Sequence, residues 1–326
     1  MTLRTISSPE RGAVLDLLDQ WISRDFFGRY FAHDPAFRDD LCFVAADGER
    51  LVSTLQVFTK DIRVNGATLR VGGVGNVFTA PAYREQRVAS GLLTRAIAAM
   101  EEKKFDLSLL FAVRINFYSR LGWCSHRRLF NFIDPGQPLI SGRHAIERFV
   151  PERDLDAIMA LYQAYSGQLP GTTVRDRRYW LGQLRYAGNP AEDFLVARAG
   201  TEAGQPIVAY ARATPLYDYY VVTEHGYLPG HAPALADLVC RLHVVEAAGW
   251  TGTLVQLAFE PEVLELLRQR GVATRLVEDV FWMWRLVSPE QLARKLGRTR
   301  AEIEHQDFFQ QLLPPERSVF WLSDRF

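Results

Sequence analysis

Residues 72–123 read GGVGNVFTAPAYREQRVASGLLTRAIAAMEEKKFDLSLLFAVRINFYSRLGW, and the order of elements in this stretch decides the fold. A strand over Leu69 to Thr79 runs into Ala80-Pro81-Ala82-Tyr83, and a helix is expected from Arg84 to Lys103. A short buried strand follows at Leu107 to Phe111, then a short helix near Asn116 to Leu121, then Gly122-Trp123. A helix N-terminus leaves several amide N–H groups unpaired and carries positive partial charge, so the turn before this helix suits a pyrophosphate. Pro81 interrupts the strand ladder and is expected to splay the strand from its neighbour. A ligand can then add to the freed edge through backbone hydrogen bonds.

Upstream, apolar residues at helical spacing (Val14, Leu17, Leu18, Trp21) behind Ser8 and Pro9 read as a helix over Glu10 to Ile22. Strands are expected at Leu41 to Ala46, at Leu51 to Val64 and at Leu69 to Thr79, with Asn65-Gly66 as the hairpin turn between the last two. Downstream, Asp134-Pro135-Gly136-Gln137-Pro138 is the best linker in the chain. The earlier order then recurs in faded form. Helix Leu155 to Tyr165 precedes strands near Phe194 to Ala199, Pro206 to Thr214 and Tyr217 to Tyr227, helix Ala232 to Ala248, strand Thr253 to Ala258, and helix Pro261 to Arg270. The economical reading is a tandem of one α/β (α+β) fold: mixed, mainly antiparallel sheets flanked by helices. Its expected units are residues 1–134, residues 144–285, and a C-terminal extension, 286–326, of two helices (Pro289 to Leu296, Arg300 to Leu312) and an aromatic tail.

Composition narrows the function. Among 326 residues, 48% are hydrophobic and 23% charged, which excludes disordered and fibrous classes. Lys plus Arg number 38 and Asp plus Glu 38, so no global basic field draws nucleic acid or an anionic membrane. Three scattered cysteines (Cys42, Cys124, Cys240) and seven histidines show neither a disulfide framework nor metal-ligand spacing. Without an export segment or a spanning stretch, a reducing cytoplasm is expected, with no membrane partner and no metal. The oligomeric state is open, and a homo-oligomer is compatible.

VFTAPAYREQRVASGLL followed by NFYSRLGW resembles the Gcn5-related N-acetyltransferase (GNAT) family. The resemblance implies acetyl-CoA as cosubstrate. It places Arg84 at the start of the R/Q-x-x-G-x-G/A loop and Ala89 at its end, with the amides of Glu85, Gln86, Arg87, Val88, Ala89 and Ser90 facing the phosphates. Backbone groups of Val77, Phe78 and Thr79 would pair with the pantetheine arm, and Val113, Arg114 and Asn116 would flank the cofactor. Tyr118 would protonate the departing thiolate. The implied activity is acetyl transfer to a primary amine, a small cationic amine of aminoglycoside or polyamine type or a lysine side chain. The alternative is a non-catalytic acyl-CoA-binding or scaffold protein.

Two departures bear on that choice. The loop's central glycine is Arg87, where a Cβ is expected to hinder backbone approach to phosphate unless the side chain is directed outward. The strand Val71 to Thr79 also lacks a carboxylate to accept the amine proton. The tandem plan with an extension is similar to the Eis branch of the family, in which the free C-terminal carboxylate serves as base. That similarity assigns the α-carboxylate of Phe326, ionised at neutral pH, as general base, while the alternative is that the tail FWLSDRF only docks on the core. Phe26, Phe27, Tyr30 and Phe31, with Asp25, Asp34, Asp39 and Asp40, form either an acceptor wall for a cation or core aromatics under a solvated acidic face.

Other features read as structural. His126 is a hydrogen bonder and Cys124 a buried strand residue, the second unit lacks the phosphate loop at Pro229-Gly230-His231, and residues 288–304 imitate a helix-turn-helix without basic companions.

Overall fold

Two equal passages of the chain repeat the same ten elements. A computed structural model describes residues 1–136, 142–186, 192–201 and 204–326. The first passage contains β1 (Thr2–Thr5), α1 (Arg11–Leu18), α2 (Arg24–His33), β2 (Cys42–Asp47), β3 (Arg50–Val64), β4 (Ala67–Thr79), α3 (Val88–Glu102), β5 (Leu107–Phe111), α4 (Ile115–Ser119) and β6 (Cys124–Ile133). The second contains β7 (Ile146–Arg148), α5 (Pro151–Ser166), α6 (Arg177–Tyr186), β8 (Asp193–Arg198), β9 (Ile207–Leu216), β10 (Tyr219–Tyr227), α7 (Ala232–Arg241), β11 (Thr253–Val255), α8 (Pro261–Gln269) and β12 (Thr274–Leu286). The extension adds α9 (Pro289–Leu296), α10 (Arg300–Ile303) and α11 (Phe308–Leu312). Of the expected linker, Gln137 and Pro138 lie outside the described residues.

The strands form one twelve-stranded sheet in the order β1-β2-β3-β4-β5-β12-β6-β11-β10-β9-β8-β7. Adding six to each strand number of the first half reproduces the second, so the repeat seen faintly in sequence is a repeat in space. Among the described residues only β4–β5 and β10–β11 pair in parallel. The last strand of each half crosses over: β12 pairs with β5 and β6, and β6 pairs with β11. Where two separate sheets were expected, the strand exchange makes one. It went unforeseen because Thr274 to Leu286 carries no strict alternation and its partners are remote in sequence.

Helix α3 covers one face of the first half, burying Leu92, Leu93, Ala96 and Met100 against Leu55, Val57 and Val74. The opposite face is covered by α9 to α11, whose Leu292, Ile303, Phe308 and Leu312 pack on Leu107, Leu109, Trp282 and Trp284. The expected helix Arg300 to Leu312 is thus two short pieces bent over an aromatic surface, and α10, four residues long, offers no recognition helix. Several ends also move. Helix α1 stops at Leu18, leaving Trp21 and Ile22 exposed, and α7 gives way at Leu242 to a π-helical turn. Cys124 is exposed, because it opens β6 at the sheet's rim.

From Val319 the tail runs buried across this face, tied to the second half. The Val319 amide donates to the Pro170 carbonyl (2.9 Å) and the Trp321 indole to Ser166 Oγ (3.0 Å). At its centre lies a cluster of fully buried charges. Arg175 bridges Asp324 (Nε to Oδ1 3.1 Å, Nη2 to Oδ2 2.8 Å) and Glu224 (Nη1 to Oε1 3.0 Å, Nη2 to Oε2 2.8 Å). Arg212, Tyr210 and Ser323 also bond Glu224, and Tyr179 and Gln183 bond Asp324. Burial alone would raise the Glu224 carboxyl, but Arg175 and Arg212 outweigh it and hold it at about 2. Because that pKa lies below the unfolded value, its stabilisation is full above about pH 4.3 and is lost as pH falls toward 2. Glu224→Gln leaves Arg175 with Asp324 alone and Arg212 with Glu192 alone, two buried cations each short of one carboxylate, and we expect urea unfolding at pH 7 to register a loss of about 3 kcal/mol. A loss below about 1 kcal/mol would contradict the clamp.

Candidate active site

Strands β4 and β5 pair only through Val71, Gly72 and Gly73, opposite Leu107, Ser108 and Leu109. Beyond Gly73 they part, well before Pro81. The cause is a bulge: the register of β4 on β3 slips between Gly75 and Phe78, and Asn76 takes φ 54°, with its amide donating to Gln56 Oε1 (3.2 Å). A bulge adds twist and bends its strand, so the bulge, and not the expected proline, opens the wedge. Val77, Phe78 and Thr79 lie on the freed edge of β4.

The wedge leads to the loop before α3. Helix α3 starts at Val88 and not at Arg84. Glu85 and Arg87 both take left-handed backbone (φ 64° and 61°), Arg87 as the cap residue without a side-chain capping bond. The amides of Glu85 to Ser90 have no acceptor among the described residues, and the first helical bond comes from Gly91 to the Arg87 carbonyl (3.0 Å). Such a row of free donors at the N-terminus of a fifteen-residue helix fits a pyrophosphate. The Arg84 and Arg87 side chains are exposed, as tolerance of Arg87 requires, while Arg84 Nε anchors to the Thr79 carbonyl (3.2 Å). The loop thus suits the phosphates of an acyl-CoA, at the cost of left-handed strain in a residue with a Cβ.

The far lip is built by the end of β5 and by α4. Val113, Arg114 and Asn116 are exposed there. Tyr118 is half-buried, edge-on to Phe117 (centroids 4.9 Å apart) and Trp123 (6.2 Å), and its hydroxyl makes no hydrogen bond among the described residues. Burial pushes its phenol up to about 12, with Arg114 opposing weakly, so it stays protonated at neutral pH and able to donate.

The chain's last residue closes the floor. The Phe326 ring lies on Phe58 (5.4 Å) and Phe111 (5.8 Å), and its main-chain carbonyl carbon is 3.4 Å from where a Cβ on Gly75 would stand. A Cβ on Gly73 would fall within that ring, so Gly73 and Gly75 make room for Phe326, while Gly72 makes room for Met100 on the other face. Phe326 therefore sits beside the bulge, where the strands part. Tyr30 donates to the Arg325 carbonyl at the long limit (3.5 Å).

The acidic wall does not assemble. Asp39 pairs with Arg11 and Asp40 with Arg38 and Lys103, the Asp34 carboxylate caps its own turn at the Ala36 amide, and Phe27 and Phe31 lie in the core. Tyr30 and Phe26 do reach the Phe326 side, through a cluster with Phe58 and Tyr186. His126 is structural, held by the Leu313 carbonyl (2.7 Å). Lys60, unnoticed in sequence, is buried between the Tyr179 and Tyr186 hydroxyls (2.7 and 3.1 Å), and burial lowers its pKa. In the second half the matching wedge between β10 and β11 is shut: His225 bonds the Gln256 carbonyl across the gap (2.8 Å) and Trp321 packs on its ring (4.8 Å). Among the described residues no trio of His, Cys, Asp or Glu could hold a metal ion, and no helix is long and apolar enough to cross a membrane.

Comparison with known proteins agrees with this geometry. Residues 8–125 match the profile of the acetyltransferase (GNAT) domain. An N-alpha-acetyltransferase 30 from Schizosaccharomyces pombe is 29% identical over 110 residues, covering 32% of this chain and 69% of that protein. In fold, the chain is similar to a probable N-acyltransferase of Enterococcus faecalis (TM-score 0.67, 16% identity, 90% of this chain and 74% of that one). It is also similar to Eis1 of Mycobacterium abscessus (TM-score 0.57, 16% identity, 89% and 75%). Residues 8–125 thus carry the likeness to an acetyltransferase (GNAT) domain, and over about nine-tenths of its length the chain shares the fold of those solved structures.

Proposed function

We propose that the chain transfers the acetyl group of acetyl-CoA to a primary amine by direct attack, with the Phe326 carboxylate as base and Tyr118 as acid. The observation that carries this reading is the meeting of three features at one wedge: a freed strand edge, a helix N-terminus with unused amides, and the chain's own C-terminus. Acetyl-CoA supplies the acetyl group as an activated thioester. The amides of residues 85–90 hold its phosphates, and backbone groups of Val77, Phe78 and Thr79 hold the pantetheine arm. An amine of pKa near 10 must shed a proton at neutral pH, which costs about 4 kcal/mol, and the Phe326 carboxylate accepts it. Tyr118 donates its phenolic proton to the leaving sulfur, completing the proton balance. With Asp39 and Asp40 spent on Arg11, Arg38 and Lys103, the α2 region gives little support to a polycationic acceptor. Free thiols at Cys42, Cys124 and Cys240 suit a reducing cytoplasm.

Tyr118→Phe should lower kcat by about a hundredfold or more in a thiol-release assay, with acetyl-CoA affinity nearly unchanged. Normal kcat with collapsed affinity would contradict the acid role. Arg87→Gly relieves the left-handed strain, so we expect about 1 kcal/mol of added stability and acetyl-CoA binding at least as tight by calorimetry. Loss of binding would show that the Arg87 side chain itself holds phosphate.

A further inference from the structure

We propose that the ring of Phe326 sets the length of the acyl group, admitting acetyl and stopping longer chains such as hexanoyl. This deepens the transferase reading and rests on it. The position of the acyl group follows from the proposed chemistry. An amine within hydrogen-bond reach of the Phe326 carboxylate, and at attacking distance from the thioester, holds the acyl carbon within about 6 Å of that carboxylate. The Phe326 ring hangs from the same α-carbon, so ring and acyl chain compete for one volume.

The walls of that volume are already set. Its apex is the last rung between β4 and β5, Gly73 opposite Leu109. On the α3 face, Val74 and Leu110 are buried in one cluster with Leu92, Met100 and Trp123, and a Cβ on Gly72 would strike the Met100 sulfur. An acyl chain has no room on that face without displacing a packed core. On the opposite face β4 carries no side chain at Gly73 or Gly75, and the Phe326 ring takes the space. It lies where a Cβ on Gly73 would stand, and its Cδ2 is 3.3 Å from the Cβ position of Gly75. The ring also spans the gap between strands, packing on Phe58 of β3 (5.4 Å) and Phe111 of β5 (5.8 Å), with Phe320 edge-on (6.4 Å).

These walls differ in what removing them would cost. Phe58 and Phe320, 1% and 0% exposed, belong to the core. Phe326 is half-buried, and the tail is anchored two residues earlier by Asp324 on Arg175, so its ring can be cut away with the anchor in place. Without the ring, Gly73 and Gly75 leave a slot walled by Phe58, Phe111 and Phe320. Such a slot suits a hydrocarbon chain, because each methylene buried in it is removed from water. The last residue thus carries two functions on one α-carbon: the carboxylate takes the proton, and the ring measures the acyl group.

The test keeps the terminal carboxylate and removes the ring. Calorimetry of acetyl-CoA and of hexanoyl-CoA into the native chain should show acetyl-CoA bound roughly tenfold or more tightly, because hexanoyl has to displace the ring. In Phe326→Ala the order should reverse, hexanoyl-CoA gaining from the emptied slot. Phe326→Leu keeps an apolar anchor for the tail and should fall between the two. Thiol release with spermidine and with benzylamine, read as the ratio of hexanoyl-CoA to acetyl-CoA kcat/KM within each chain, should follow the same order. Equal affinity for the two thioesters in the native chain would overturn the proposal. So would a native preference for acetyl-CoA in Phe326→Ala, because that result places the stop in the core. Absence of turnover with every amine, beside an intact acetyl preference in binding, would defeat the transferase reading and leave this one standing. Normal turnover with equal binding would do the reverse, and failure of both thioesters to bind would defeat both.

Discussion

The ion cluster of Arg175, Asp324 and Glu224 fixes where Phe326 lies, and the proposed chemistry of the wedge depends on that placement. Four charges with Arg212 are removed from water there, which is tolerable only because nearly every lone pair and N–H is matched by a partner, including Tyr179, Tyr210, Gln183 and Ser323. Asp324 is the tail's anchor. Two residues later, Phe326 reaches the bulge of β4, its ring held by Phe58 and Phe111. Because Arg175, Glu224 and Arg212 belong to the second half, the wedge of the first half, the proposed active site, is completed by its neighbour.

This gives the second half a physical role although its own wedge is closed. Each half bulges in its fourth strand, at Asn76 in one and near Thr223 in the other, and each parts from its fifth strand beyond the bulge. In the second half the gap is bridged by His225 and filled by Trp321. The same tail therefore fills one wedge with Trp321 and reaches the other with Phe326. Exchange of β6 and β12 fixes the spacing between the two wedges, since neither half can move without breaking strand pairing.

What the sequence disclosed, and what it hid, follows from the range of the interactions. The turn before α3, Tyr118 and the short strand and helix between them are local patterns, so their placement was readable to within a few residues. The repeat was readable as an order of elements. Strand exchange was not, because β12 finds its partners, β5 and β6, far back in the chain. The clamp was invisible for the same reason: Arg175 and Asp324 are 149 positions apart and look like ordinary surface charges until the fold buries them. The bulge at Asn76 hid because asparagine adopts left-handed backbone readily and leaves no other mark. The acidic residues near α2 suggested a cation site, and their arginine partners, Arg11 and Arg38, were the missing half of that reading.

The central claim is that the terminal carboxylate, held at the wedge by the buried clamp, accepts the amine proton. A semisynthetic chain ending in the Phe326 carboxamide keeps the ring, the length and the clamp and removes only the acceptor charge. Its kcat, measured by thiol release beside the native protein, should fall by about a hundredfold or more while acetyl-CoA affinity holds. An unchanged kcat in that chain would show that the proton goes elsewhere and that the tail is a structural plug.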